Sequence, residues 1–301
     1  ICITRENELV VGDRLGFFLV KNLKSNKYSY YVKAHESSIN DIIELTVGDF
    51  IFIVTASRDR TLQVFYKKKY SSDKENNNNS NQTADGIEIS HDSQKWDLLQ
   101  TLTIHKANII QVLNHGNKLL VCSADRSLSV HSIEIDDDDD EPYVTCDKIL
   151  GIKGTPIKMN IVSSNSLKNA QELVISTNDK QLLVYNLLNL ELKRSLKLYC
   201  GLNKSLLVDN FAVMKDVDLI ACSCSDKSIR VFNYSTGKLI TTDWPHSGLI
   251  VGLEVYDNKL RADGVTDSSE ITKNIISLSN DGCIFIWELK FPKDYDTDSI
   301  H

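Results

Sequence analysis

The chain is 301 residues long, 42% hydrophobic and 25% charged, with a formal net charge of −7. That composition is globular, with ample length for a large core, and the acidic balance argues against a general nucleic-acid surface. No apolar stretch approaches the ~20 residues of a membrane-spanning helix; no signal-peptide pattern opens the chain, and its start at Ile1 reads as a fragment of a longer protein.

Taken in chain order, apolar alternation and β-branched content predict strands throughout and no convincing helix. The first repeat places strands at 1–4, 8–12, 17–22 and 27–33. The second places them at 39–45, 50–56 and 61–66, with a delayed fourth at 98–104. The third runs over 108–150, the fourth over 156–198, the fifth over 205–242, and the sixth from 248 to 287 with a weak fourth strand near Phe291. The repeats divide a single domain, 1–290, into units of about 1–34, 35–104, 105–150, 151–198, 199–243 and 244–290. Residues 67–95 contain an Asn-rich tract that cannot bury enough apolar surface to offset ordering, and are expected to be a disordered loop insertion. Residues 136–141 are six consecutive acids, expected as a solvated mobile loop or, less simply, an acidic interaction tag. Residues 259–273 lengthen a connection in the sixth repeat, and 291–301 form a tail.

Each repeat carries an aspartate between its second and third strands: Asp13, Asp59, Asp125, Asp179, Asp226 and Asp281. Their spacings are 46, 66, 54, 47 and 55 residues. A strand repeat with this period is the signature of an all-β propeller. The sixth repeat holds His246, Ser277, Asp281 and Trp287, and the second holds His35, Thr55, Asp59 and Phe65 at the same offsets. A serine, a histidine and an aspartate invite a hydrolase triad, but the spacing is that of the structural tetrad of WD-repeat proteins, which locks adjacent strands. The third repeat keeps His105 and Asp125, with Val121 and His131 replacing the hydroxyl and the aromatic; repeats one, four and five lack the histidine. The seven cysteines mostly sit in apolar strand patterns and read as buried, reduced thiols. Cys222 and Cys224 have no second pair at zinc spacing, so no metal or cofactor is expected.

The chain resembles the WD-repeat family over nearly its whole length, with one Trp-Asp-like ending, Trp287-Glu288. Val11–Gly16, Ala34–Glu36 with Ala56–Arg60, Ser123–Ser127, Cys222–Ile229 and Ser277–Trp287 follow, in collinear order from about Val11 to Leu289, the second propeller of the mitogen-activated-protein-kinase-binding WD-repeat scaffolds. That family includes the microcephaly-linked spindle-pole member. The resemblance implies a WD40-type β-propeller, six blades visible and seven in the intact domain, within a larger scaffold that has two propellers and a disordered tail. The Asn-rich and Asp-rich insertions are similar to a fungal version of it.

The residue after each turn aspartate is Arg14, Arg60, Arg126, Lys180 and Lys227, broken only by Gly282, and Arg58 adds a further cation. Ordinary turn chemistry explains such a series; so does a basic rim attracting acidic or phosphorylated peptides. The function expected is a non-catalytic protein-interaction module of a larger WD-repeat protein, cytoplasmic and by resemblance cytoskeletal or spindle-associated, with roles in kinase signalling or spindle organisation. The nucleus is an open alternative location. Other domains of the same chain are further candidate partners. The alternative is a phosphoinositide or phosphopeptide reader, although the Phe-Arg-Arg-Gly signature of phosphoinositide-binding propellers is missing. No glycine-rich phosphate loop or nucleophile–base pair outside the tetrads points to an enzyme. Trp96 and Trp244 are weak candidates for surface contacts: Trp96 is expected to pack at the entry to a fourth strand, and Trp244 to belong to the turn that leads into the last repeat.

Overall fold

A computed structural model describes residues 1–69, 80–82, 88–90, 96–162, 171–200, 204–257 and 270–292. The chain divides into two compact units, Ile1–Pro156 and Ile157–His301. In the sheets of four or more strands the described registers are antiparallel, apart from one short strand that joins the first sheet in parallel.

In the first unit, β1 (Cys2–Ile3), β2 (Glu8–Gly12), β3 (Phe17–Asn22) and β4 (Tyr28–Lys33) form the first sheet. The second is built from β5 (Ile39–Val47), β6 (Phe50–Ser57) and β7 (Leu62–Lys68). Two short strands follow, β8 (Ser80–Gln82) and β9 (Glu88–Ser90), before β10 (Asp97–Leu102) completes the second sheet against β7. The third sheet is β11 (Ile109–His115), β12 (Lys118–Ser123), β13 (Ser127–Ile135) and β14 (Pro142–Gly151).

The second unit opens with β15 (Pro156–Val162), β16 (Glu172–Thr177), β17 (Gln181–Asn186) and β18 (Leu192–Leu196). A small hairpin, β19 (Tyr199–Cys200) and β20 (Lys204–Ser205), leads to the sheet of β21 (Val208–Met214), β22 (Leu219–Cys224), β23 (Ile229–Asn233) and β24 (Leu239–Asp243). The last sheet is β25 (Ile250–Asp257), β26 (Glu270–Ser279) and β27 (Ile284–Pro292).

Burial follows the alternation. All eight residues of β6 are buried, because its two faces serve two different interfaces. Phe52, Val54 and Ala56 pack with Ile109, Val112, Leu119, Val121 and Ile133 of the third sheet. Ile51 and Ile53 join Val10, Phe18 and Val20 of the first. The sheets are also stitched by side chains at their strand starts. Asn40 Nδ2 donates to the Ile109 carbonyl at 2.6 Å, and Asn210 Nδ2 repeats the contact on Ile250 at 3.1 Å in the second unit.

Several sequence expectations change here. The stretch 67–95, read as a disordered loop, carries β8 and β9. They pair with each other, and β9 meets β4 in parallel at Tyr28↔Ile89; residues 70–79, 83–87 and 91–95 lie outside the described residues. Glu270 to Lys273, read as part of an extended connection, belong to β26, and 258–269 are not described. Phe291 does not start a fourth strand, nor does it open a tail: it is the continuation of β27, paired with Ile271, and among the described residues the last sheet has three strands. Residues 293–301 lie outside the described residues.

The acidic run 136–141 closes the β13–β14 hairpin as a defined turn, with Asp136 N–H on the Glu141 carbonyl at 2.9 Å and Asp140 N–H on the Asp136 carbonyl at 3.0 Å. Trp96 packs at the entry to β10, as expected: it is 2% exposed and lies with Phe18, Ile53 and Phe65, so it offers no surface contact. Cys122, Cys222 and Cys224 are buried, whereas Cys146 and Cys283 are exposed.

Candidate functional site

The six aspartates sit in the tight turns between the second and third strands of their sheets. In five of them a carboxylate oxygen accepts the backbone N–H two residues on: Leu15, Thr61, Ser127, Ser228 and Cys283, at 2.9–3.2 Å. This is the local Asx turn that short carboxylates favour. The residue after the aspartate lies in left-handed backbone in five of the six turns, with φ of 77° at Arg60, 66° at Arg126, 61° at Lys180, 67° at Lys227 and 85° at Gly282. In the first sheet the left-handed residue is instead Gly16, φ 89°, where a Cβ would collide with the His35 carbonyl oxygen.

Behind the turns lie the polar slots that lock the strands, and the second sheet has the most complete one. His35 is buried, and burial pushes its pKa down even though Asp59 pulls the other way. The neutral ring donates from Nδ1 to Asp59 Oδ2 at 3.1 Å and accepts the Thr55 hydroxyl on Nε2 at 2.8 Å. Burial works against the Asp59 carboxylate. The hydroxyl and amide of Thr61, the amide of Glu36 and His35 outweigh it, so its pKa falls below the ordinary value. Phe65, which cannot donate a hydrogen bond, meets Phe18 edge-on at 4.8 Å.

In the third sheet Val121 leaves the usual hydroxyl missing, and Ser129 on β13 supplies one from the opposite strand. It bonds His105 Nε2 at 2.9 Å and His131 Nε2 at 2.8 Å. His105 Nδ1 is 3.5 Å from Asp125, whose second oxygen takes the Ser127 hydroxyl. Burial, then the neighbouring His105, pushes His131 down to about 4, and its Nδ1 has no partner among the described residues.

The sixth sheet matches the tetrad best in sequence, yet its slot is open on one side. Ser277 is fully buried and its oxygen accepts Trp287 Nε1–H at 3.1 Å and meets His246 Nε2 at 2.8 Å. Asp281 takes the Ser247 hydroxyl at 2.8 Å instead of His246, whose Nδ1 is buried without a partner. The fifth sheet, which has no histidine, fills the slot with Arg230. Its guanidinium grips Asp226 with two bonds, 2.7 and 3.0 Å, and also reaches Ser228. This fork holds the Asp226 carboxyl down to about 2.

One position organises all of this and was missed in the sequence: the residue four beyond the turn aspartate. It is Gln63, Ser129, Arg230 and Phe285 in the second, third, fifth and sixth sheets. Gln63 Nε2 bonds the Ala34 carbonyl and Phe285 packs edge-on against His246 at 4.9 Å. Its even offset from the aspartate on a strand is the signal, since residues two apart share a face.

The turn cations face solvent. In the first unit, Arg14, Arg58, Arg60 and Arg126 are exposed, and none makes an ion pair among the described residues. Their turns lie at one end of the sheets. Ile39 N–H bonds Asp13, Arg58 N–H bonds Ser38, Asn40 reaches Ile109, and Ala124 N–H bonds Asn108. In the second unit Lys180 and Lys227 are exposed, and Lys227 Nζ bonds the Ser247 carbonyl at 2.5 Å. Trp244 is 62% exposed, its ring 5.9 Å from the Arg230 guanidinium carbon.

No protein-family model matches the chain. It is 25% identical over 287 residues to WD repeat-containing protein 62 of Sus scrofa, an alignment covering 93% of this chain and 15% of that protein. It is 24% identical over 287 residues to the protein of the same name from Mus musculus, covering 93% and 16%. The chain therefore spans about a sixth of the length of these relatives. Both support a WD-repeat family, and the fold is an all-β, WD40-type β-propeller.

Proposed function

We propose that the chain is a non-catalytic scaffold module that docks acidic or phosphorylated segments of partner proteins on its turn cations, Arg14, Arg58, Arg60, Arg126, Lys180 and Lys227. The WD-repeat likeness supports a protein-interaction module in general. One observation carries the finer reading. Arg60, Arg126, Lys180 and Lys227 occupy left-handed backbone that a glycine, as at Gly282, adopts without strain. A non-glycine residue there costs roughly 1 kcal/mol or more. Long cations held exposed at that cost, with arginines suited to bidentate carboxylate or phosphate recognition, fit a docking role better than turn chemistry alone. The slots behind them are architectural: Ser277 is buried and both its neighbours consume its hydroxyl.

The test is capture of partners by the parent and by a variant with all six cations changed to glutamine, each shown folded by circular dichroism, before and after phosphatase treatment of the lysate. Partners lost with the variant support the reading, and loss on phosphatase treatment identifies phosphorylated segments. Partners retained by the variant overturn it. Binding of the parent, but not the variant, to phosphoinositide vesicles instead of protein would favour the lipid-reading alternative. The resemblance to kinase-binding scaffolds extends the proposal to a cytoplasmic or spindle-associated role in kinase signalling or spindle organisation. Imaging the tagged protein through division tests that extension.

A further inference from the structure

A cleft of about 450 Å³ opens where the second sheet meets the β13–β14 hairpin, far in chemistry from the cationic turns. Phe50, Tyr66 and Asp97 form one wall, Asp139, Asp140 and Glu141 the other, and Lys68 stands between them. Its origin is the strand register. Phe50 pairs with Lys68, and Phe52 with Tyr66, so three aromatic rings and one ammonium share a face of the sheet. Tyr66 stacks on Phe52 at 6.3 Å and tilts against Phe50 at 5.9 Å. The hairpin turn is drawn close by Gly48, whose φ is +54° and where a Cβ would stand 2.5 Å from Ile135 Cδ1. The three-lysine run is split by the strand period. Lys67 turns to Glu6, Glu8 and the Trp96 ring. Lys69 bonds the Gly48 carbonyl. Lys67 also lines the cleft, but its ammonium is committed to Glu6 and Glu8, whereas Lys68 carries its ammonium to a cleft carboxylate.

Lys68 shows what the cleft holds. Its Nζ is 2.7 Å from Asp140 and 5.3 Å from the centre of the Phe50 ring, so a cation sits between a carboxylate and an aromatic face. Four carboxylates line the cleft with two lysines, and the Lys67 ammonium is taken up by Glu6 and Glu8. Asp139 and Glu141 make no ion pair among the described residues. Burial, then Glu141 and Asp97, raise the Tyr66 phenol above its ordinary pKa. The Lys68–Asp140 pair is itself exposed, 55% and 67% at its two side chains, and such pairs are weak and exchangeable.

We infer that this cleft is a docking site for an arginine-bearing basic segment of a partner protein, with Lys68 as a built-in competitor that the incoming guanidinium displaces. A guanidinium suits the site better than an ammonium, since its plane can lie on the Phe50 and Tyr66 rings while its fork bridges two carboxylates. The site is independent of the turn cations, and its occupant has the opposite charge.

The probe is a fluorescein-labelled hexa-arginine peptide, followed by anisotropy on the full chain. Lys68→Gln is expected to tighten binding about two- to fivefold, the worth of an exposed competing pair. The cleft triple Asp139→Asn, Asp140→Asn, Glu141→Gln is expected to weaken it about tenfold or more. The neighbouring triple Asp136→Asn, Asp137→Asn, Asp138→Asn removes the same charge outside the cleft and keeps the Asp136 Oδ1 acceptor of the turn; it should change affinity less than about twofold. Equal weakening by both triples means a general acidic field and overturns the proposal, as does a Lys68→Gln variant that binds no tighter or a parent that shows no saturable binding. Thermal melts of each variant establish that the hairpin is intact. Glutamine at the six turn cations should leave this binding in place, so this site and the proposed cationic one fail separately.

Discussion

Arg230 and His131 show how single residues replace the missing parts of the repeated slot. Arg230, 3% exposed, substitutes a guanidinium on β23 for a histidine from the preceding connection. Removing it strands Asp226, whose side chain is 45% exposed and so keeps part of its hydration. Arg230→Met is therefore expected to cost about 2–3 kcal/mol in urea unfolding, at or below the low end for a broken buried pair. Arg230→Lys should recover little, because the fork is lost.

His131 makes a prediction about pH. Its pKa is pushed from 6.5 to about 4 on folding, so the unfolded chain binds the extra proton first. Stability attached to the neutral ring is present above pH 6.5 and is lost as pH falls from there towards 4. The full loss amounts to about 3 kcal/mol. His35 and His105, also lowered by burial, act in the same direction. In His131→Phe the fall in stability between pH 7 and 4 should shrink by a comparable amount; an unchanged slope would show that His131 is not the titrating group.

Among the elements, the second and sixth sheets reverse the order the sequence gives them. His246, Ser277, Asp281 and Trp287 are all present, but Ser247 reaches Asp281 and leaves the histidine without its aspartate. The second sheet lacks the indole, yet His35 bonds both Asp59 and Thr55. His35→Leu, which removes a bond to the Asp59 carboxylate as well as one to a hydroxyl, is expected to cost about 2 kcal/mol more than His246→Leu in paired denaturation curves. Equal costs would mean that the aspartate bond adds nothing.

Spacing along the chain made the aspartate turns, the strand alternation and the all-β class readable, because each depends on neighbours within a few residues. The closing of a hydrogen bond was not readable, since it depends on how a connection such as Trp244–Gly248 lies over the turn. Ser129 was hidden for another reason: it donates its hydroxyl from the third strand, where the family pattern looks to the second. The strands β8 and β9 were not readable because composition measures the drive to bury surface. It does not register a few backbone bonds on the edge of an existing sheet, which is all that links β9 to β4 and β8 to β9.

Among the described residues, exposed apolar side chains are mostly scattered, but β27 gathers three in sequence: Ile284 at 63%, Phe285 at 42% and Ile286 at 64%. The outer edge of this strand has no partner among the described residues. Exposed apolar edges template intermolecular pairing. Ile286→Lys is expected to slow aggregation of the isolated chain, read by light scattering on warming, without lowering its unfolding midpoint by more than a few degrees. Unchanged scattering would place the aggregating surface elsewhere.

The bond from Asn40 to Ile109 bridges 69 positions. On a ribosome adding about 5–20 residues per second, the second sheet therefore waits roughly 3–14 s for the strand that will cover it. Throughout that interval Leu45, Phe52 and Val54 have no third sheet to pack against. The chain's newly made apolar face is thus open to chaperones, or to a neighbouring nascent chain, for a time set by translation speed, and slow codons placed between the second and third sheets would lengthen it.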